Sequence, residues 1–223
     1  MTFLNSTQPI FRDKQQYLDV PDLEGLLKIC WKVGDFTLFA NSYTRVDQAC
    51  LIWAVITFII FAVAQFFPIS WLTQAYWWSV LSIAGTLIMV LFTRYWVWLK
   101  GLTWLLFWWV FLMVLGIAVT NISIFWGLPW ILPNLCHFWL ILCVLGYVGT
   151  ALGLASRAFF LIAIVHLVTI PLLSFIPQWQ FLTTGSVMAG TLFLLAEVRW
   201  DMGLSLVTQV VTVSSQQNRK RCC

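Results

Sequence analysis

Six uninterrupted apolar runs, at 48–67, 75–93, 102–120, 134–154, 158–176 and 180–197, dominate the hydrophobic pattern of the chain. A helix of roughly 20 residues, rising about 1.5 Å per residue, crosses about 30 Å of hydrocarbon and satisfies its own backbone where no water can. The runs are continuous rather than alternating with period two, which excludes a lipid-facing barrel. Proline supplies the punctuation: Pro68 closes the first run, Pro129 and Pro133 separate the third from the fourth, and Pro177 ends the fifth. Pro171, inside the fifth run, is expected to kink it. The pattern predicts an all-α, polytopic membrane bundle of six transmembrane helices over 47–198.

Two polar segments flank the bundle. Within 1–46, the stretch PDLEGLLKICWKVG places Leu23, Leu26, Leu27, Cys30 and Trp31 at helical spacing, with Glu24, Lys28 and Lys32 elsewhere on the wheel. Pro21 suits a first turn and Gly34 a stop, so an amphipathic interfacial helix is predicted over about 21–33. Its place is the cytoplasmic membrane surface, with docking of a partner as the alternative. The tail, 199–223, ends NRKRCC. Cys222 and Cys223 behind three basic residues resemble the double-cysteine endings of some geranylgeranylated small GTPases, which implies possible lipidation; a solvated basic tail beside anionic headgroups is the plainer reading.

Composition agrees with the pattern: 61% of the 223 residues are apolar, 9% are charged, and the mean hydropathy is +0.91. Charge adds an orientation. All twelve Lys and Arg fall before the first run, between the second and third, between the fourth and fifth, or after the sixth, while the connections 68–74, 121–133 and 177–179 hold no charge of either sign. By the positive-inside rule both termini are expected in the cytoplasm of a multi-pass integral membrane protein. Nothing points to nucleic acid; the expected partners are membrane lipids and other membrane subunits.

The stretch FWGLPWILPNLCHFW, 125–139, carries three tryptophans, two prolines and no charge. As an outer hairpin it would put Trp126, Trp130 and Trp139 at headgroup depth, part of two aromatic belts that absorb most of the fifteen tryptophans. Uncharged outer loops suggest a face sunk in the interface or covered by another subunit.

Reactive chemistry is sparse. There is no HExxH, GxSxG, Walker-type loop or carboxylate pair within a run, so no catalytic residue is predicted. Glu197 and Asp201, near the inner helix ends, are candidates for ion pairs with Arg94, Arg157 or Arg199. His137 and His166 are the candidate haem or chlorophyll ligands, although hydrogen bonds to Asn134 and Thr169 are the simpler expectation. Cys136 and Cys143, seven apart on one helix, cannot pair with each other and read as small packing residues. Helix contact is predicted at Gly146, Gly149 and Gly153 in the fourth run and at Gly185 and Gly190 in the sixth.

Six spans with cytoplasmic termini in so short a chain is similar in architecture to the substrate-binding components of energy-coupling-factor transporters, an architecture that many unrelated families share. None of that family's binding motifs falls on residues of this chain. Three readings follow. The first is a non-catalytic membrane subunit or assembly factor; the second, a carrier or substrate-binding component for a neutral or apolar molecule; the third, a haem- or pigment-binding protein using His137 or His166.

Overall fold

Helices account for most of the chain because its long apolar runs leave the backbone no partner but itself. The computed structural model describes residues 9–12, 27–33 and 36–201. In chain order these form β1 (Phe11–Arg12), β2 (Leu27–Val33), β3 (Phe36–Tyr43), α1 (Arg45–Phe66), α2 (Trp71–Leu99), α3 (Thr103–Phe125), α4 (Leu135–Leu154), α5 (Arg157–Leu173), α6 (Gln180–Glu197) and β4 (Arg199–Trp200), with single 3₁₀ turns before α4 and α6. Counting those turns, α1, α2, α3, α4 and α6 are each long and apolar enough to cross a membrane. At 17 residues α5 is apolar but shorter. The molecule is therefore a multi-pass integral membrane protein.

The helix predicted over 21–33 does not form where the structure describes that segment. Residues 27–33 are a strand, paired antiparallel with β3 from Leu27 opposite Tyr43 to Val33 opposite Phe36, with an irregularity between Trp31 and Lys32. The sequence LKICWKV is also apolar at every second position, with β-branched and aromatic residues that favour an extended chain, and only Gly34-Asp35 separate it from β3. The pairing thus prevailed over a 3.6-residue pattern that the same residues also satisfy. Residues 21–26, and the tail with Cys222 and Cys223, lie outside the described residues.

Helix ends are set by identifiable groups. Thr44 and Asp47 form a capping box on α1: the Asp47 N–H donates to Thr44 Oγ1 at 3.3 Å, and the Thr44 N–H donates to the Asp47 carboxylate at 2.7 Å. Ser70 caps α2 through the Thr73 N–H at 3.2 Å. Between α4 and α5 the chain turns at Ala155, in the left-handed region with φ 49°, and the Ser156 N–H donates to the Ala151 carbonyl at 3.0 Å. Pro171 falls in the last turn of α5, where the N–H groups of Ser174, Phe175 and Ile176 donate three residues back and close the helix as 3₁₀. The helix ends three residues before the apolar run does.

Sequential helices are neighbours, and α6 returns to pack extensively on α1, so that α1, α2, α3, α4 and α6 surround a central space while α5 packs against α4 and α6. Small residues allow the closest approaches: a Cβ added at Gly185 of α6 would lie 2.5 Å from the Phe61 Cβ of α1. At the end remote from the basic connections, the Gln65 side chain donates to the Gln178 carbonyl at 2.8 Å and accepts from the Leu182 N–H at 3.3 Å, tying α1 to α6.

Candidate functional site: an aromatic cavity inside the helix ring

The seam between α3 and α4 forms one wall of the central space. The Trp109 ring lies over Gly146, Trp108 over Gly149 and Trp104 over Gly153, and Trp139 of α4 lies in return over Gly116 of α3, where a Cβ would come within 2.6 Å of the ring. Glycine is needed because any side chain there would meet an indole. Three of these indoles also donate: Trp109 Nε1 to Thr150 Oγ1 at 3.0 Å, Trp108 Nε1 to the Leu145 carbonyl at 3.2 Å, and Trp139 Nε1 to Thr120 Oγ1 at 3.2 Å. Gly146, Gly149 and Gly153 are thus helix contacts within this chain. Gly190 has nothing within 4 Å of a would-be Cβ. Trp139, grouped by sequence with the outer hairpin, packs inside the bundle, whereas Trp126 and Trp130 are 74% and 70% exposed.

Behind the seam lies a cavity of about 170 Å³, bounded by α1, α2, α3, α4, α5 and α6 and by Trp200 of β4. It occupies the half of the bundle nearer the basic connections, from Val46 and Trp200 to Met188. A second cavity of about 40 Å³ extends toward the other end, and the two share Trp53, Thr57, Trp139 and Met188. Among the described residues neither lining contains a charged residue or a histidine. The larger is walled by aromatic rings, among them Trp53, Trp96, Tyr147, Phe159 and Trp200, with Met89, Met113 and Met188 between them. Its threonine hydroxyls are turned to their own helices: Thr57 donates to the Trp53 carbonyl at 2.6 Å, Thr93 to Met89 at 2.7 Å and Thr150 to Gly146 at 2.9 Å. Among the described residues Trp53 Nε1 and Trp200 Nε1 are buried donors without a partner. A buried donor left unsatisfied costs about 1–3 kcal/mol.

The floor at the basic end is held from outside the cavity. Trp200 packs edge-on against Phe159, their centroids 5.3 Å apart, and β4 pairs with β1. Asp201, one residue on, is buried and caps α5: its carboxylate accepts from Ser156 Oγ at 2.9 Å, the N–H of Ala158 at 3.0 Å, the N–H of Arg157 at 3.1 Å and Arg157 Nε at 2.9 Å. Burial, the largest influence, pushes this carboxyl up, but the Arg157 guanidinium, the two backbone N–H groups and the Ser156 hydroxyl together hold it below the usual carboxylate value.

Of the residues expected to form ion pairs, Arg157 and Asp201 meet. Glu197 accepts from the Tyr43 hydroxyl at 2.6 Å, and Arg94 is exposed with no ion pair among the described residues. The histidines are apart from the cavities. His166 is fully buried, its Nδ1 2.9 Å from the Ile162 carbonyl, which makes Nδ1 the donor and leaves Nε2 without a partner. Its ring lies 5.0 Å from that of Tyr147, and Thr169 donates instead to Val165. His137 Nδ1 is buried without a partner, and Asn134 donates to the Trp130 carbonyl at 3.0 Å. Cys50, Cys136 and Cys143 are thiols, and among the described residues no group of His, Cys, Asp and Glu could hold a metal ion. The carrier reading expects a cavity lined by Thr, Ser, Asn and Trp; Thr and Trp are in the lining, but which residues meet there is set by helices far apart in the chain. Compared with protein families, curated proteins and solved structures, the chain matches none of them.

Proposed function

We propose that this chain is a six-span membrane protein with its basic end in the cytoplasm, which binds a neutral, apolar molecule in the central cavity as a carrier or as the substrate-binding component of a transport system. The cavity carries this reading. A dry apolar cavity of about 150 Å³ is enough to hold benzene, and this one, about 170 Å³, is lined by aromatic rings and thioethers without a charge. Such a site rejects ions, which would lose their hydration for no partner, and accepts a small hydrocarbon body or part of a lipid chain. In this arrangement α5 spans with the help of the turn that follows it. The segregation of Lys and Arg supports the orientation.

Titration of the full chain in lipid nanodiscs with tetralin, followed by calorimetry, is expected to saturate at one equivalent. Ala49, a buried lining residue, gives the control. Ala49→Phe fills the cavity and is expected to abolish saturable binding; absence of saturation in the wild type, or equal affinity in the filled variant, would overturn the reading.

A second reading, a non-catalytic subunit of a membrane complex, is favoured by the end remote from the basic connections, where Trp126, Trp130 and Phe175, 81% exposed, stand on loops without a charge. Native mass spectrometry of protein extracted with its lipid tests it: a polypeptide that copurifies with the wild type and is lost from Trp126→Ser/Trp130→Ser supports the subunit, and a lone chain in both samples removes it. Haem or chlorophyll ligation is not proposed, because neither His137 nor His166 lines a cavity.

A further inference from the structure

The five tryptophans that line the larger cavity or cross the α3–α4 seam with a defined donor state fall into two groups. Trp108, Trp109 and Trp139 each donate to an oxygen of a neighbouring turn or helix. Trp53 and Trp200 donate to nothing, and both line the larger cavity. Trp53 lies within the lipid-embedded length of the bundle and Trp200 Nε1, at the basic end, is shut off by burial, so each donor is retained at a continuing disadvantage unless something binds it. Among the described residues no acceptor lies within hydrogen-bond distance of either indole, and no charged residue lines the space.

We infer that the molecule taken up by this cavity carries a neutral hydrogen-bond acceptor, a carbonyl or ether oxygen on an otherwise apolar body, and that Trp53 and Trp200 are the residues that select it. The inference rests on the reading of the cavity as a binding site and names its ligand class. Both Nε1 atoms are buried, so donation to a ligand requires each ring to turn toward the cavity. That turn breaks no hydrogen bond, which is not true of Trp109 or Trp139. Trp53 also sits between the two cavities, resting on Gly85 of α2, where a Cβ would come within 3.2 Å of the indole; the notch leaves its ring held by packing alone. A hydrocarbon of the same shape leaves both donors unsatisfied. A charged ligand meets an aromatic and thioether wall that gives it no counter-charge.

1-Tetralone and tetralin, matched in shape and differing by one carbonyl, separate these possibilities in nanodiscs. Comparison of each probe between wild type and variant cancels its partitioning into lipid. Trp53→Phe and Trp200→Phe keep an aromatic ring and remove the N–H. The expected result is that at least one of them weakens 1-tetralone about fivefold to tenfold more than it changes tetralin, the worth of one neutral hydrogen bond. Ultraviolet resonance Raman on the wild type, which needs no variant to fold, is expected to show an indole N–H band shifting to its hydrogen-bonded position with 1-tetralone and not with tetralin. If both probes bind and the substitutions change them equally or not at all, with no Raman shift, the ligand class is wrong and the cavity reading stands. If neither probe saturates, both fall.

Discussion

The α3–α4 seam and the cavity beside it are built from the same residue types to opposite effect. Along the seam, indoles lie in glycine notches and each of Trp108, Trp109 and Trp139 finds an acceptor. Around the cavity, Trp53 and Trp200 present equally large rings whose donors find none. Lipid is as apolar as a leucine side chain, so helices in a membrane are held by close packing and hydrogen bonds rather than by exclusion from water. On the seam side both are complete, even for Trp109 and Trp139 that also line the cavity, whereas at Trp53 and Trp200 the packing leaves space and the donors stay unmatched.

The largest effect is expected from filling a notch. Gly146→Leu would drive a side chain into the Trp109 ring, which contacts even the position of a Cβ there. The ring has Thr150 and Tyr147 fixing it on its other sides, the latter with centroids 5.5 Å apart. The variant is expected to lose about 3 kcal/mol, read as a fall in the thermal midpoint in detergent. Gly190→Leu, with nothing within 4 Å, is expected to change it little. Equal loss in both would show that glycine flexibility, not the notch, is what matters.

Next comes the tie that holds the cavity floor. Asp201→Asn keeps the shape but weakens bonds from Ser156, Ala158 and Arg157, and is expected to cost about 2 kcal/mol, since hydrogen bonds to a charged group are the stronger ones. Its carboxyl is held below the ordinary value, so the tie is fully present above the unfolded-state carboxylate range near pH 4 and is lost as pH falls through the lowered folded value. Thermal midpoints of wild type and variant, well separated at neutral pH, should therefore converge as pH falls below about 4. A gap independent of pH would assign the effect to packing.

Smaller still, and most direct, is the contrast between two indoles. Trp109→Phe and Trp53→Phe delete similar volumes, but only the first breaks a hydrogen bond, the one to Thr150 at 3.0 Å. The first should be the more destabilising by about 1 kcal/mol. Equal losses would mean that the seam's hydrogen bonds add nothing to its packing.

Much of the scaffold was legible from hydropathy alone, because a span must be continuous, apolar and about the thickness of a bilayer. The segments 48–67 and 102–120 reappear as Arg45–Phe66 and Thr103–Phe125 with their ends moved a few residues. Where two periods fit one stretch, the reading failed: residues 27–33 satisfy both a helical stripe and strict alternation, and strand pairing with 36–43 decided between them. One signal was there to be read, since Thr44-x-x-Asp47 is a capping box at the start of the first span. Trp139 departs from its expected place for a different reason. Depth along a helix can be estimated from sequence, but whether an indole at that depth faces lipid or a neighbouring glycine depends on helix rotation, which no single helix encodes; Trp139 was placed with Trp126 and Trp130 by depth and is turned inward to Gly116. The cavity shares that dependence, as Trp53, Met113, Tyr147 and Trp200 come together only once the ring is closed.

The smallest predicted change concerns the turn that carries the seam helix into α5. Ala155 is the one described non-glycine residue with positive φ, and an L-residue in the left-handed region sacrifices about 1–2 kcal/mol to the approach of its Cβ to the backbone. Ala155→Gly removes that strain but frees the unfolded chain, which offsets roughly half of the gain, so a net stabilisation of about 0.5 kcal/mol is expected. Ala155→Val should move the other way and by more, because a β-branched residue is the least tolerant of this conformation. The pair of thermal midpoints, opposite in sign about the wild type, isolates backbone strain from side-chain packing. Since Ser156, the next residue, donates to Asp201 and its own N–H closes the turn onto Ala151, relief at Ala155 should stabilise the floor of the cavity without altering the seam. A stabilised Ala155→Gly variant whose affinity for tetralin equals that of the wild type would then show that scaffold and cavity can be tuned separately.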